Sequence, residues 1–321
     1  MPPQEAPFAT QVRPYGEAAI EEAARLILDG LPVAVPTETV YGLAADATNE
    51  QAVARVFEAK GRPSFNPLIV HVLDLDQAVA IGGEMSEAAR DVAARYWPGP
   101  LTIVVPLSPS TTLAKLTTAG LDSVALRSPD HRAMRSLLEA VGRPLAAPSA
   151  NASGTISPTR AEHVLKSLGG RIPLVIDDGD TGRGVESTIV KFTDNRLTQL
   201  RPGPVDAEEI AAYANMKLDS EWSGRIEAPG QLRSHYAPSK PLRLDALSAE
   251  RDEWLIGFGA IQGDDSLSPS GSLVEAASRL FDALHRGEDQ MKARIAVAPI
   301  PAEGVGIAIN DRLRRAAAPR D

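Results

Sequence analysis

Short apolar segments alternate with segments of helical spacing in the first part of the chain, and this alternation restricts the fold most strongly. The stretch LPVAV, residues 31–35, is typical of a buried strand, and the helical pattern before it ends at Gly30, a favourable helix terminator. Later segments such as STIVKFT and RLTQLRPG predict strands that follow one another without a helix between them. Early alternation and later clustering predict an α/β fold with a mixed sheet.

Capping residues predict where three helices begin. Thr48 and Gln51 match the capping-box pattern ahead of a helical segment. Asp130 precedes HRAMRSLLEAVG, and Ser157 followed by Pro158 precedes TRAEHVLKSLGG. We therefore expect helices to start directly after these residues.

The periodic pattern fades after VDAEEIAAYA, which divides the chain. A length of 321 residues favours two domains. We expect a catalytic domain over residues 8–212, a linker over 213–240 and a small second domain over 241–321, where a β-α-β-α pattern predicts an open sheet. The linker contains the motif GQLRSHYAP and little Ser/Gly dilution, so we expect it to fold over a cleft as a lid.

Composition excludes several classes of function. The chain has no cysteine, which rules out a thiol nucleophile, a thiolate metal site and disulfides. A net charge of −9 and an aromatic content of 4% argue against stable nucleic-acid binding. The N-terminal residues lack a signal-peptide core and no apolar run is long enough for a membrane span, so we expect a cytoplasmic protein. The sequence also lacks a P-loop, a zinc-protease motif and a serine-hydrolase motif.

The stretch KGRPSFNPLIVH, residues 60–71, places two cations in one turn before an apolar strand. A cation at a helix C-terminus is favoured by the helix dipole, which explains Lys60 but not Arg62 beyond the glycine. Two cations across a turn can converge on one polyanion, although a solvated surface is the alternative. We expect neither side chain to lie in the core.

Polar residues also follow several predicted strands. Ser149 and Asn151 come after the apolar PLAA, and the stretch PTETVYG follows LPVAV. Arg127, Ser187 and Arg201 occupy similar positions in VALRSP, ESTIV and LRPGP. Because strand ends along one edge form one crevice, these residues predict a shared binding site, with ordinary polar turns as the alternative.

In their order along the chain, PTETVYGLAADA, KGRPSFNPLIVHV, WPGPLTIVV, VALRSPDH, PLAAPSANASG, ESTIV and LRPG resemble the YrdC-like family. The pair K-x-R and S-x-N is a hallmark of that family. The motifs GQLRSHYAP and AINDRLRRAA are similar to its longer, two-domain form. The resemblance covers nearly the whole chain.

This resemblance implies a twisted mixed open sheet followed by a smaller Rossmann-like α/β domain. It implies threonylcarbamoyl-AMP synthase activity, in which L-threonine, bicarbonate and ATP give threonylcarbamoyl-adenylate and pyrophosphate. Mg²⁺ would arrive with ATP, with no metal site of the protein's own. A separate complex would then transfer the threonylcarbamoyl group to tRNA.

The resemblance also assigns roles to residues of this sequence. It implies that Lys60 and Arg62 are catalytic, acting on the phosphates of ATP. The implied ATP contacts are Arg62, Asn66, Ser123, Asn151, Thr159, Arg201 and Tyr236. The implied threonine contacts are Thr39, His71, Arg127, Ser149 and Ser187. Ser123 stands where relatives often carry threonine, and the hydroxyl is kept.

Two other functions stay open from the sequence. One is a binding module for double-stranded RNA or tRNA, against which the net charge of −9 counts. The other is a carbamoyltransferase that forms a carbamoyl-adenylate, although relatives of that type carry extra modules that this chain lacks.

Overall fold

The structure is a computed structural model that describes residues 7–193, 196–219 and 226–319. The described strands of the larger sheet are β1 (Gln11–Pro14), β2 (Val33–Pro36), β3 (Tyr41–Asp46), β4 (Ile69–His71), β5 (Leu101–Pro106), β6 (Ser123–Arg127), β7 (Leu145–Ala146), β8 (Leu174–Asp177), β9 (Thr188–Thr193), β10 (Arg196–Arg201) and β11 (Lys217–Asp219). The helices of this part are α1 (Glu17–Leu28), α2 (Glu50–Lys60), α3 (Leu75–Ala80), α4 (Glu87–Tyr96), α5 (Arg132–Val141), α6 (Ala161–Leu168) and α7 (Ala207–Tyr213).

The larger sheet has the strand order β1-β8-β2-β3-β7-β4-β6-β5-β9-β10-β11. Strand β6 runs parallel to β4 on one side and antiparallel to β5 on the other, so the predicted mixed sheet is confirmed. Alternate residues of β2 enter different apolar clusters: Val33 and Val35 pack with residues of α1 and α5, and Ala34 packs with residues of α2. The sheet is therefore covered on both faces at its centre, which explains why β2 is apolar throughout.

Two of the predicted helix caps are wrong by one residue. The cap of α2 is Asn49, whose side chain accepts the backbone N–H of Gln51 and of Ala52, while Thr48 Oγ1 donates to Asp46 Oδ1 at 2.6 Å. The cap of α5 is His131, whose ring nitrogen accepts the N–H of Ala133 at 3.3 Å. In the first case the hydroxyl that was predicted to cap the helix, that of Thr48, donates to the nearby Asp46 carboxylate instead.

The third predicted cap, Ser157, is also wrong. Helix α6 begins at Ala161, and its N-cap position, Arg160, makes no capping hydrogen bond through its side chain. The Ser157 hydroxyl donates instead to Glu186 Oε1 at 2.6 Å. A long-range contact with a buried carboxylate therefore replaces the local helix cap.

The second sheet contains β12 (Leu242–Arg243), β13 (Glu253–Gly257), β14 (Asp265–Ser266) and β15 (Arg294–Val297). Its strand order is β12-β15-β13-β14, and every pair is parallel. Helices α8 (Leu273–Asp289) and α9 (Gly306–Ala317) belong to this part of the chain. A small, parallel α/β unit thus follows the larger sheet, which confirms the predicted fold class.

The linker predicted over residues 213–240 is only partly irregular. Strand β11 pairs with β10, so the larger sheet continues beyond residue 212. Residues 226–241, called the linker segment from here on, contain no helix or strand. Ala228 of this segment packs with Ile69 and Ala125 on the larger sheet, and the Ala237 N–H donates to the Gly154 carbonyl at 2.8 Å. The linker segment therefore lies on one face of the larger sheet.

Within residues 7–193, 196–219 and 226–319, no helix is long and apolar enough to cross a membrane.

Candidate active site

A small cavity with about 50 Å³ of free space lies between the larger sheet and the linker segment. Seven of the residues implied by the sequence resemblance line it: Thr39, Arg62, His71, Arg127, Ser149, Arg201 and Tyr236. The linker segment closes the cavity with Pro229, Gly230, His235 and Tyr236.

Arg127, the last residue of β6, is buried beside this cavity. Its Nη1 donates to Thr39 Oγ1 at 3.0 Å, and its Nε donates to the Gly99 carbonyl at 3.3 Å. Its Nη2 forms an ion pair with Glu38 Oε1 at 2.7 Å. The guanidinium is thus held in place beside the cavity by a hydroxyl, a carbonyl and a carboxylate.

His71 ends β4, where the parallel register places it beside Arg127. Burial, and then the positive charge of Arg127, lower the pKa of His71 to about 3. The imidazole is therefore neutral near pH 7. Its Nδ1 is buried without a partner in the described part of the chain, so a ligand group can hydrogen-bond to it.

Ser187 directly precedes β9, and Arg201 is the last residue of β10. Because these strands are antiparallel neighbours, the two residues lie side by side. Arg201 Nη2 donates to Ser187 Oγ at 3.0 Å, and Arg201 Nε donates to the Ser187 carbonyl at 3.0 Å. The Ser187 hydroxyl also lies 2.7 Å from Thr102 Oγ1 of β5. Burial is the main cause that lowers the pKa of Arg201. An anion in the cavity would offset this desolvation.

The turn after α2 carries two buried cations, so the prediction that neither lies in the core is wrong. Lys60 and Arg62 are 3% and 9% exposed. Gly61 allows the turn because its φ of 59° is left-handed. Arg62 Nε donates to the Asn66 carbonyl at 3.1 Å, and its Nη2 donates to the Pro67 carbonyl at 2.7 Å. Burial lowers the pKa of Arg62 to about 10.

Lys60 connects this turn to the segment after β7. Its Nζ donates to the carbonyls of Ser149 and Asn151, each at 2.5 Å. Burial, and then Arg62, lower the pKa of Lys60 well below its usual range. No carboxylate of the described residues pairs with Lys60, which has a third N–H left for a ligand.

Three further residues implied by the resemblance are Asn66, Asn151 and Ser123. The side-chain oxygens of Asn66 and Asn151 are buried and have no donor among residues 7–193, 196–219 and 226–319. Ser123 opens β6, two residues before Ala125, which pairs with Ile69 of β4. Because alternate residues share a face, Ser123 lies on the face of Arg127, at the opposite end of the strand.

Thr159 is buried but does not line the cavity. Its Oγ1 lies 3.4 Å from His163 Nδ1, and its carbonyl accepts the N–H of Thr181 at 3.1 Å. Thr159 therefore contacts α6 and lies outside the cavity lining.

Tyr236 of the linker segment is 1% exposed and has a left-handed φ of 62°. Its hydroxyl is buried without a hydrogen-bond partner in the part of the chain described. Burial raises the pKa of Tyr236, and burial together with Arg62 and Lys60 lowers the pKa of the adjacent His235 far below its usual range. Both side chains are therefore uncharged near pH 7.

Three residues of the site were missed from the sequence. Glu38 pairs with Arg127, Thr102 contacts Ser187, and the cavity-lining Glu186 binds Arg312 of α9 through Oε2 and Nε at 2.7 Å. Glu38 and Glu186 lie inside the motifs PTETVYG and ESTIV, which was the available signal. Arg312 lies inside the motif AINDRLRRAA, but nothing in that motif indicates that one of its side chains reaches the larger sheet.

Buried cations, uncharged rings and a closing segment together define a two-domain α/β protein with an enclosed site for anionic ligands. The described residues contain no group of three or more His, Asp or Glu side chains arranged for a metal ion.

Two family models match the chain. The Sua5/YciO/YrdC model, described as "Telomere recombination", matches residues 25–203, and the model "Threonylcarbamoyl-AMP synthase, C-terminal domain" matches residues 205–318. The threonylcarbamoyl-AMP synthase of Bacillus subtilis is 40% identical, over 94% of this chain and 93% of its own length. That of Pyrococcus abyssi is 39% identical, over 94% of each chain.

Solved structures agree with these matches. The crystal structure of P. abyssi Sua5 complexed with L-threonine superposes with a TM-score of 0.86 at 37% identity and covers 97% of each chain. Escherichia coli YciO, at 19% identity and a TM-score of 0.56 over 63% of this chain, shares the fold. The chain therefore belongs to the threonylcarbamoyl-AMP synthase family, in its two-domain form. The predicted function, an enzyme with threonylcarbamoyl-AMP synthase activity, is thereby confirmed.

Proposed function

We propose that the cavity beneath the linker segment condenses L-threonine, bicarbonate and ATP to threonylcarbamoyl-adenylate and pyrophosphate. The observation that carries this proposal is the convergence of Arg62, Arg127 and Arg201 on one enclosed space. Three buried guanidinium groups suit two anionic substrates, a carboxylate and a triphosphate, better than one.

The threonine half of the site is proposed to lie around Arg127. This guanidinium would bind the threonine carboxylate, and the hydroxyls of Thr39 and Ser187 would face the rest of the amino acid. The P. abyssi relative, a match over the whole chain, was crystallised with L-threonine, which supports threonine as a substrate here. Neutral His71 can offer a hydrogen bond without repelling a protonated amine. Ser149 is proposed to complete this half.

The nucleotide half is proposed to lie around Lys60 and Arg62, with the amide oxygens of Asn66 and Asn151 as acceptors. Arg201 and the unpartnered Tyr236 hydroxyl would contact the nucleotide from the other side. The assignment of Ser123 and Thr159 to ATP stays a prediction. These cations would neutralise the phosphates as charge builds up in the transition state.

The proposed chemistry needs no covalent enzyme intermediate. The amine of threonine and bicarbonate give an N-carboxylate with loss of water. Its oxygen attacks the α-phosphorus of ATP, the bond to the bridging oxygen breaks, and pyrophosphate leaves. The protein contributes positioning and charge neutralisation.

Mg²⁺ is proposed to enter the site on the phosphates of ATP. The two carboxylates nearest to the site, Glu38 and Glu186, are each paired with an arginine. The residues present therefore do not form a cage for the ion. We further propose that the protein acts in the cytoplasm and passes its product to a complex that modifies tRNA.

The deciding experiment incubates the full chain with ATP, labelled bicarbonate and each amino acid in turn. Pyrophosphate release and a labelled adenylate are expected with threonine, and both should vanish when bicarbonate is left out. Adenylate formation from carbamoyl phosphate without an amino acid would favour the carbamoyltransferase. Tighter binding to RNA than to ATP plus threonine would favour the RNA-binding module.

A further inference from the structure

Arg312 of α9 is a large charged side chain that is completely buried, at 0% exposure. Arg314, two residues further along the same helix, is exposed, and among the described residues its side chain donates to the Asn310 carbonyl of its own helix alone. Burying a guanidinium is unfavourable by several kcal/mol unless the surroundings supply partners. The partners of Arg312 therefore indicate what this buried position contributes.

Two of these partners belong to the larger sheet and adjoin the active site. Arg312 Nε donates to Glu186 Oε2 at 2.7 Å, and Arg312 Nη2 donates to the Pro202 carbonyl at 2.9 Å. Glu186 directly precedes Ser187, and Pro202 directly follows Arg201. Ser187 and Arg201 are the residues that hydrogen-bond to each other beside the cavity. One side chain from the second sheet's part of the chain thus hydrogen-bonds both the segment that contains Ser187 and the segment that contains Arg201.

A third contact reaches the linker segment. The Arg312 guanidinium carbon lies 5.3 Å from the centroid of the Tyr236 ring, a cation–π distance. Phe281 of α8 contacts the same ring at a centroid distance of 5.5 Å. The second sheet's helices therefore hold Tyr236 in a backbone conformation, with a φ of 62°, that few non-glycine residues adopt.

We propose that Arg312 is a positioning residue of the active site, so that the second domain completes the site and does more than anchor the linker. Its guanidinium hydrogen-bonds Glu186 and Pro202, the chain neighbours of Ser187 and Arg201, and thereby positions those two residues. The flat face of the same guanidinium packs on the Tyr236 ring. This inference rests on the proposed function for the identity of the ligands that these residues position.

A planar fork is needed for this role. Glu186 and the Pro202 carbonyl are bound by different nitrogens of the same guanidinium, in different directions. A lysine ammonium could keep the charge beside Glu186 but lacks the fixed geometry for both partners and the flat face for the ring. Charge and geometry can therefore be tested separately.

The test compares four variants of the full chain in pyrophosphate release, thermal unfolding and amide hydrogen exchange. Arg312→Met should lower the melting temperature because it leaves the Glu186 carboxylate buried without its cation. Glu186→Gln combined with Arg312→Met removes both charges of this ion pair and should recover much of the melting temperature. Asp311, which also pairs with Arg312, keeps its contact with Arg315 in this variant. The double variant should nevertheless keep a KM for ATP raised about ten- to a hundredfold. Arg312→Lys should fold normally and show a raised KM for ATP, and the exposed control Arg314→Met should match the wild type.

Amide exchange over residues 226–241, measured without substrates, should be faster in Arg312→Lys and in the double variant than in the control. A wild-type KM and wild-type exchange in Arg312→Lys would overturn the proposal, because charge alone would then suffice. The same result in the double variant would reduce Arg312 to a counter-ion of Glu186. If the double variant does not fold, Arg312→Lys decides. Failure of the wild type to form an adenylate would refute the proposed function but leave the exchange result valid.

Discussion

Replacing Lys60 with methionine is expected to separate activity from stability. Lys60 is 3% exposed, and its Nζ makes two hydrogen bonds, to the carbonyls of Ser149 and Asn151 at 2.5 Å. A hydrogen bond to a charged group contributes about 1.5–3 kcal/mol. Against this, the buried ammonium carries a desolvation penalty of several kcal/mol and faces another cation, Arg62, instead of an acid.

The two contributions are of similar size, so the free energy of unfolding of Lys60→Met should stay within about 2 kcal/mol of the wild type. Activity should respond differently, because the proposed contact with the phosphates has no replacement. Loss of a charged contact corresponds to a drop of about ten- to a hundredfold in kcat/KM for ATP. The exposed Lys115→Met is the matched control and should behave as the wild type in both measurements.

The assay is pyrophosphate release at saturating threonine and bicarbonate, with urea denaturation of the same preparations. The alkaline side of the pH profile gives a second readout. A lowered pKa means that Lys60 loses its proton, and with it the phosphate contact, at a lower pH than an ordinary lysine. Lys60→Arg should shift this loss of kcat/KM to higher pH. Near-normal turnover by Lys60→Met would place the phosphates elsewhere and refute the assignment.

The remaining predictions concern substrate binding, closure and pH. Arg127→Met should raise the KM for threonine about ten- to a hundredfold and leave that for ATP unchanged, which pyrophosphate release at varied threonine would test; equal effects on both substrates would contradict the division of the site. Threonine should be preferred strongly over valine through hydroxyl pairing, and over serine by roughly 1–3 kcal/mol, and competition between the amino acids measures both; equal activation of valine would exclude the proposed pocket. Tyr236→Ala should shorten the lifetime of the adenylate by admitting water, whereas Tyr236→Phe should act only on the KM for ATP, as chromatography of the product over time would show; an unchanged lifetime would mean that the segment is only a tether. Stability should fall as pH decreases below about 6.5, because burial lowers the pKa of His71 and His163 to about 3 and unfolding lets both take up protons; thermal unfolding between pH 5 and 8 tests this, and a flat profile would contradict it.

The alternation of strands and helices predicted the mixed sheet correctly because burial on both faces leaves an unbroken apolar strand such as β2. Helix starts were less predictable. At Thr48 and Ser157 the predicted capping hydroxyl is used by Asp46 and by Glu186 instead. A local sequence pattern shows which residues are favourable helix caps. It does not show whether a carboxylate elsewhere will accept the hydrogen bond of the same hydroxyl.

Motif order indicated most residues of the cavity because each follows or precedes a strand that the sheet brings to one face. It could not indicate how deeply Lys60 and Arg62 are buried. Cations are almost always exposed unless they are paired, so their position in a turn favoured the surface. The backbone carbonyls that accept their hydrogen bonds, those of Ser149, Asn151 and Pro67, carry no signal in the sequence.

The site is positively charged although the protein as a whole is negatively charged, and this difference bears on how the linker segment closes over the site. A chain of net charge −9 keeps Lys60, Arg62 and Arg201 buried, with the pKa of each lowered mainly by desolvation. The two acids beside the site are paired with other arginines: Glu38 with Arg127, and Glu186 with Arg312. The neutralising charge would then come from a ligand, which in the proposed function is ATP. We therefore expect substrate binding and closure of the linker segment to be coupled, because both would remove the same cations from water.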